Sequence, residues 1–488
     1  MSTKSQQITN SAVYLLPIVI GNLVPIITLP IFTRLLSAED FGAWALASAY
    51  ASVVSGIATM GLPTMYDRNF FEHRDAPRRS QLLYSVVAFS VCTFAALGFA
   101  TWSLRGWITG WLIGHSGYET VLVWSFGATA VAGVKGYYMT FLRNSEQAGA
   151  FSAYTIAERL LAAVLTVALV AWARVGVIGL VIGQLTASAI VLAIIGVRFL
   201  RRLPPAFDRR LLGDALVLGL PLMPRILFGV LGNNVDKYLI GQVASLGGVG
   251  IYTVGQRVAN IAFTYMTALQ NVFGPQVYAR MFSEDSEIRR SIGRYLTPFA
   301  YASTVLAFLI AVFSEELLRV LAPGAYHGAI PIITILTLYY AIQFFGKMPQ
   351  ITFAKKTYLI AVLAAVSTGL SIVCGATGIW LFGTIGAAWG ALVAGAAMTT
   401  IAFVVGQRCF RIEWEGRRML AIFGTLFASA FMTIALRALG VPYVVLALFK
   451  VGALGVFIWL GTKLGILTLD NLRLVRGLVL GRFRRSPA

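Results

Sequence analysis

Apolar stretches of about 20 residues, the length at which a helix crosses the hydrocarbon of a bilayer, recur along the whole chain. Backbone polar groups in hydrocarbon must be satisfied within the segment itself, so such runs read as helices. Fourteen segments qualify. In the first half they are about 11–33, 41–63, 81–103, 119–142, 150–173 and 176–199. The second half adds about 213–233, 248–271, 293–313, 328–346, 357–381, 384–406, 418–438 and 441–466. Of the 488 residues 58% are hydrophobic and 12% charged, against roughly 25% charged in a soluble domain. The expected fold is therefore an all-α integral membrane protein with 14 transmembrane helices. The stretch Trp107–Ile113 is too short to span, and its tryptophans place it at the membrane interface.

The basic residues orient these segments. Loops on one side, with the two termini, carry 28 of the 39 Lys and Arg, whereas the opposite loops carry six: Arg34, Arg105, Arg174, Lys237, Arg319 and Arg437. By the positive-inside rule both termini are cytoplasmic, which requires an even number of spans. Most of the net charge of +20 is thus topological, and with no continuous polar surface a nucleic-acid partner is not expected. The arginine-rich tail suits anionic lipid. No cleaved signal is expected, because Met1–Asn10 runs straight into a span. Loops are too short for a separate domain, and no G-x-x-x-x-G-K-[ST] segment for ATP is present. Cys92, Cys374 and Cys409 lie in apolar stretches without paired or metal-ligand spacing, so neither a disulfide framework nor a metal site is expected.

Two short patterns recur at nearly one offset. Ser37–Trp44 opens the second span and Ser245–Tyr252 opens the eighth, 208 residues later. Gly176, Gly179 and Gly183 of the sixth span match Gly383, Gly386 and Gly390 of the twelfth, 207 residues later. A duplication follows, with residues 1–200 as an N-terminal six-helix lobe and 201–407 as a C-terminal one. Residues 408–488 hold two additional helices and a basic cytoplasmic tail. Six spans per half keep both halves in one orientation, an arrangement found in transporters whose lobes rock around a midplane site.

Five basic residues fall inside predicted spans: Lys135, Arg159, Arg225, Arg257 and Lys450. A charge at a helix centre costs at least about 2.5–3.5 kcal/mol, so each needs a partner or a wet cavity. Thr253, Arg257 and Asn260 share one face of the eighth span, and Arg225, Asn233 and Asp236 one face of the seventh, beside Pro221 and Pro224. Arg225 and Arg257 lie near mid-depth. Blander readings stand beside these. Glu158 or Arg159 makes an interhelical ion pair, Lys135 and Lys450 snorkel, and Arg34 and Asp236 link loops at span ends. Glu158 is the one carboxylate well inside a span, so the lumen is expected to be mainly cationic. Such a lumen attracts a multiply anionic group such as a pyrophosphate, which arginine's forked guanidinium suits.

The run LPIFTRLLSAEDFG at residues 29–42 resembles the amino-terminal signature of the Wzx-like polysaccharide flippases. NVDKYLIG at residues 234–241, continuing to Gly250-Ile251-Tyr252, resembles their mid-chain signature, and Gly383–Gly390 their carboxy-terminal one. The resemblance implies the multidrug/oligosaccharidyl-lipid/polysaccharide exporter fold. It further implies movement of undecaprenyl-pyrophosphate-linked oligosaccharide from the cytoplasmic to the periplasmic leaflet of a bacterial inner membrane, for surface polysaccharide or exopolysaccharide. It implies a class of basic cavity residues, carried onto Arg225 and Arg257 with Lys135 and Arg159, and the helical faces and spans add Arg34 and the polar Asn260, Thr253, Asn233, Asp236 and Glu158 to the candidate cavity. No catalytic residue, metal or cofactor is implied. Coupling to a proton or sodium gradient is, and so are a polysaccharide polymerase and a chain-length regulator as partners. A lipid II flippase and a multidrug/cation antiporter share this topology, although the antiporter is expected to show buried carboxylates. A membrane glycan polymerase needs an extracytoplasmic acid–base set, and His115 and His327 stand without one.

Overall fold

The computed structural model describes residues 4–466 apart from residues 74, 116, 347 and 348. Arg74, Lys347 and the tail arginines Arg473, Arg476, Arg482, Arg484 and Arg485, which entered the charge count, lie outside the described residues. A helix stands at each of the fourteen apolar segments, and the described residues form no strand. The chain runs α1 (Lys4–Leu35), α2 (Ala38–Thr59), α3 (Leu62–Glu72), α4 (Ala76–Ser103), α5 (Arg105–Leu112), α6 (Glu119–Asn144), α7 (Ala148–Val167) and α8 (Ile178–Arg202). It continues with α9 (Arg209–Gly219), α10 (Met223–Gly232), α11 (Val235–Val243), α12 (Leu246–Met281), α13 (Ser286–Val312), α14 (Ser314–Leu321) and α15 (Ala329–Ile342). The last are α16 (Gln350–Phe353), α17 (Thr357–Cys409), α18 (Gly416–Ala438) and α19 (Tyr443–Lys463).

Among the described residues nine helices are long and apolar enough to cross a membrane, so this is a multi-pass membrane protein. The seventh segment, expected as one span, breaks into α9, a 3-10 turn at Leu220–Leu222 and α10. Pro221 and Pro224 cause this, because each removes a donor from the helical ladder. Conversely, two segments expected as separate spans run together in α17, interrupted only where Gly383 takes φ 62° and ψ −143°. Helix α5 carries Trp107 and Trp111 at 71% and 64% exposure, as an interfacial helix should.

Two compact units are distinguishable. One comprises residues 1–254, 319–328 and 368–390, and the other residues 255–318, 329–367 and 391–488. In the first, α6 and α7 both pack on α8, while α1 packs on α7 and α2 on α6. Its core clusters Tyr66, Phe70, Tyr137 and Phe199 with aliphatic residues of α3, α4 and α8. In the second, α13 packs on α15 and α18, and α18 packs on α19.

The recurring patterns have a geometric basis. Ser37 caps α2 by accepting from the Asp40 N–H at 3.1 Å, and Ser245 accepts from the Gly248 N–H at 3.0 Å in the equivalent place. The two helix starts then meet reciprocally. A Cβ on Gly42 would lie 2.9 Å from the Leu246 carbonyl carbon, and one on Gly250 would lie 2.8 Å from that of Ala38. Residues 38 and 42 correspond to 246 and 250 at the same 208-residue offset, so the contact is close to twofold. The second pattern repeats as well. Gly176 and Gly383 both adopt positive φ, at 71° and 62°. A Cβ on Gly183 would crowd the Thr166 backbone nitrogen at 2.7 Å, and one on Gly390 the Cys374 carbonyl carbon at 2.7 Å. Small residues here let helix backbones touch.

Gly42→Ala and Gly250→Ala should therefore each destabilise by about 1–3 kcal/mol through overpacking. Gly136→Ala, inside α6 and meeting nothing within 4 Å, should keep or slightly raise the melting temperature in detergent. Equal melting temperatures for all three variants would contradict the close crossing.

Candidate cationic site in the first unit

Neighbouring residues on a helix point about 100° apart, so Glu158 and Arg159 of α7 face different partners. Glu158 turns toward α6 and α8. It pairs with Lys135, and Ser188 donates to the same carboxylate oxygen. Lys135 also donates to Ser188 at 3.1 Å and is buried. The carboxylate and ammonium thus satisfy one another away from water, as buried charges must. Of the two candidates for an interhelical ion pair, Glu158 makes it.

Arg159 turns toward α1. It is exposed and makes no hydrogen bond or ion pair with any described residue. Gly21 faces it, and a Cβ there would lie 3.8 Å from Arg159 Nε. Together they line a cavity of about 590 Å³ with Pro17 and Asn22 of α1, Arg143 of α6, and Phe151 and Thr155 of α7. Arg143 also bonds Asp67 at 3.0 Å, an exposed pairing. Thr155 spends its hydroxyl proton on the Phe151 carbonyl at 2.8 Å. The described residues of the cavity wall include two guanidinium groups and an amide, and no carboxylate. In an apolar helical frame such an arrangement selects a compact polyanion, to which guanidinium presents paired donors.

The other expected site residues are placed as follows. Arg225 is exposed on α10, and Arg257 is half-buried on α12. Thr253 is buried, its hydroxyl bonded to the Val249 carbonyl at 2.7 Å, while Asn260 is half-buried one turn beyond Arg257. Asn233 is exposed beyond the end of α10, and Asp236 accepts from Tyr252 at 2.7 Å. Arg34 donates to the Pro30 and Val320 carbonyls at 2.9 and 3.3 Å, holding the end of α1. Of the expected set, the structure brings Lys135 and Glu158 into contact and gives Arg159 a cavity.

Sequence reasoning missed Asn22 and assigned Arg143 only to a loop. A lone amide within the apolar run of α1 was the available signal for the first. It also missed the partners of Lys450, which lies at 0% exposure and donates to both carboxylate oxygens of Glu316 at 2.8 and 2.9 Å. Nothing local in the sequence links residues 134 positions apart.

A family model described as polysaccharide biosynthesis protein matches residues 31–331. No curated protein matches the chain. Among solved structures, the lipid II flippase MurJ in an inward closed conformation superposes with a TM-score of 0.68 at 12% identity, covering 94% of this chain and 99% of that one. An inward-facing multidrug resistance MATE family transporter of the MOP superfamily gives 0.63 at 14% identity, covering 81% and 97%. The Vibrio cholerae MATE transporter VcmN in its bent form gives 0.53 at 16% identity, covering 84% and 98%. At these identities the likeness is one of fold.

Proposed function

Because the chain belongs to the polysaccharide biosynthesis protein family, we propose that it is a flippase for undecaprenyl-pyrophosphate-linked oligosaccharide. It carries the repeat units of a surface polysaccharide or exopolysaccharide from the cytoplasmic to the periplasmic leaflet of a bacterial inner membrane. The observation that carries this reading is the Arg159 cavity, in which the Arg159 guanidinium faces an apolar helix bundle with no carboxylate among the described lining residues. A pyrophosphate matches that wall in charge and in acceptor geometry, whereas an organic cation would meet two positive charges. On the orientation given by the basic loops, the cavity lies in the cytoplasmic half, where such a glycolipid is assembled. Arg225 and Arg257 are proposed as further phosphate-binding residues.

In this reading the chain has fourteen spans and cytoplasmic termini, and two six-helix lobes, residues 1–200 and 201–407, alternate access. A proton or sodium gradient supplies the energy, and a polymerase with its chain-length regulator uses the product.

Depletion followed by leaflet assignment in sealed vesicles tests the function. Complete repeat units should accumulate on the cytoplasmic leaflet while surface glycan is lost. Unpolymerised units on the periplasmic leaflet would instead place the protein after flipping, as a polymerase.

A further inference from the structure

The second unit holds a cavity of different chemistry. It measures about 580 Å³, within the range of about 300–1,000 Å³ typical of small-molecule sites. Helix α12 supplies Gln270 and Asn271, α15 supplies Tyr339, the turn just after it supplies Gln343, and α17 supplies Ser367 and Thr399. Among the described residues that line it none is charged. The side chains of Gln270, Asn271 and Gln343 form no hydrogen bond with any described residue, and the Gln270 amide nitrogen is fully buried. Tyr339 is seated against Gly395, where any Cβ would collide with its ring. That glycine lets an aromatic face form part of the wall.

Buried amides are normally hydrogen-bonded, and leaving one without a partner costs about 1–3 kcal/mol. One such group, the Gln270 amide nitrogen, lines this space beside the half-buried Gln343 and the exposed Asn271, and each of these amides has donors and an acceptor. A phosphate would find no cation among the described lining residues, and a hydrocarbon chain would leave the amides unsatisfied. A sugar ring supplies hydroxyls that donate and accept, and an apolar face for tyrosine. We propose that this cavity binds neutral oligosaccharide, the sugar part of the cargo, a proposal that rests on the flippase reading above.

The test uses the full chain in lipid nanodiscs and two probes. One is the oligosaccharide released by mild acid from the lipid-linked fraction of the producing cells, and the other is sugar-free undecaprenyl pyrophosphate. The wild-type protein should bind both. Gln270→Leu and Gln343→Leu, made separately, should each weaken the oligosaccharide by roughly tenfold, the loss of one amide's hydrogen bonds to it. Both should bind undecaprenyl pyrophosphate as the wild type does, which also shows that they fold. Oligosaccharide bound equally by the variants and the wild type would overturn the proposal. So would a wild-type protein that binds undecaprenyl pyrophosphate but not the oligosaccharide, and that result would leave the flippase reading standing. A wild-type protein that binds neither probe would remove both.

Discussion

An Arg159→Ala protein should bind undecaprenyl pyrophosphate roughly 10- to 100-fold more weakly than the wild type. A hydrogen bond to a charged group contributes about 1.5–3 kcal/mol, and each 1.4 kcal/mol is tenfold in affinity. Arg159 is the guanidinium of the cavity wall that no described residue engages, so its donors are free for ligand. Arg143 should matter less, because Asp67 already holds one of its nitrogens at 3.0 Å. Arg159→Lys should recover part of the loss, since it keeps the charge but not the forked geometry. Export of glycan should fall with binding. Undiminished binding by Arg159→Ala at normal protein levels would show that the pyrophosphate sits elsewhere, and Arg225 and Arg257 would be the next sites to remove.

Lys450→Met should be the most destabilising single change among the ion pairs. Lys450 is wholly buried, bonded to Glu316 and 3.8 Å from Glu315, and Arg437 lies 3.7 Å from Glu315. Removing one partner of a buried pair typically costs about 3–5 kcal/mol, because the other charge is left behind. Glu316 keeps some solvent and the Tyr443 hydroxyl at 3.0 Å, which places the expected loss near about 3 kcal/mol. The melting temperature in detergent should fall clearly. Adding Glu316→Gln to Lys450→Met should recover part of it, since the stranded charge is then gone.

The same pair has a pH signature. Burial pushes the Glu316 carboxyl up, but the hydrogen bond from Lys450 and further polar contacts outweigh it and hold the group below its ordinary value of 4.5. A carboxyl depressed in the folded state stabilises above its unfolded value, and the benefit disappears as pH falls through the folded value. The wild type should therefore lose stability below about pH 4.5, and Lys450→Met should lose less over that interval. Parallel pH profiles for the two proteins would show that the pair contributes nothing.

How far the sequence could be read depended on the range of the interaction involved. A run of about 20 apolar residues specifies a helix without reference to the rest of the chain, so a helix stands at every expected segment. Proline acts locally too, which explains the break at Pro221 and Pro224. The Ser and Gly patterns were legible for the same reason, since capping and close helix contact act on particular backbone atoms. The short helices α3, α14 and α16 were not legible, because each draws on neighbours rather than on its own hydropathy. For the charges, the sequence indicated only that something must satisfy them. Glu158 faces Lys135 across 23 residues, whereas Arg159, one position on, faces a cavity, because a 100° turn of the helix separates them. Lys450 meets Glu316 across 134 residues. The amides of Gln270 and Gln343 are unremarkable in their own segments and become a wall only where α12, α15 and α17 pack. Apolar length and local backbone chemistry determined the helices, and the packing of their faces decided which polar groups pair with each other and which remain for a ligand.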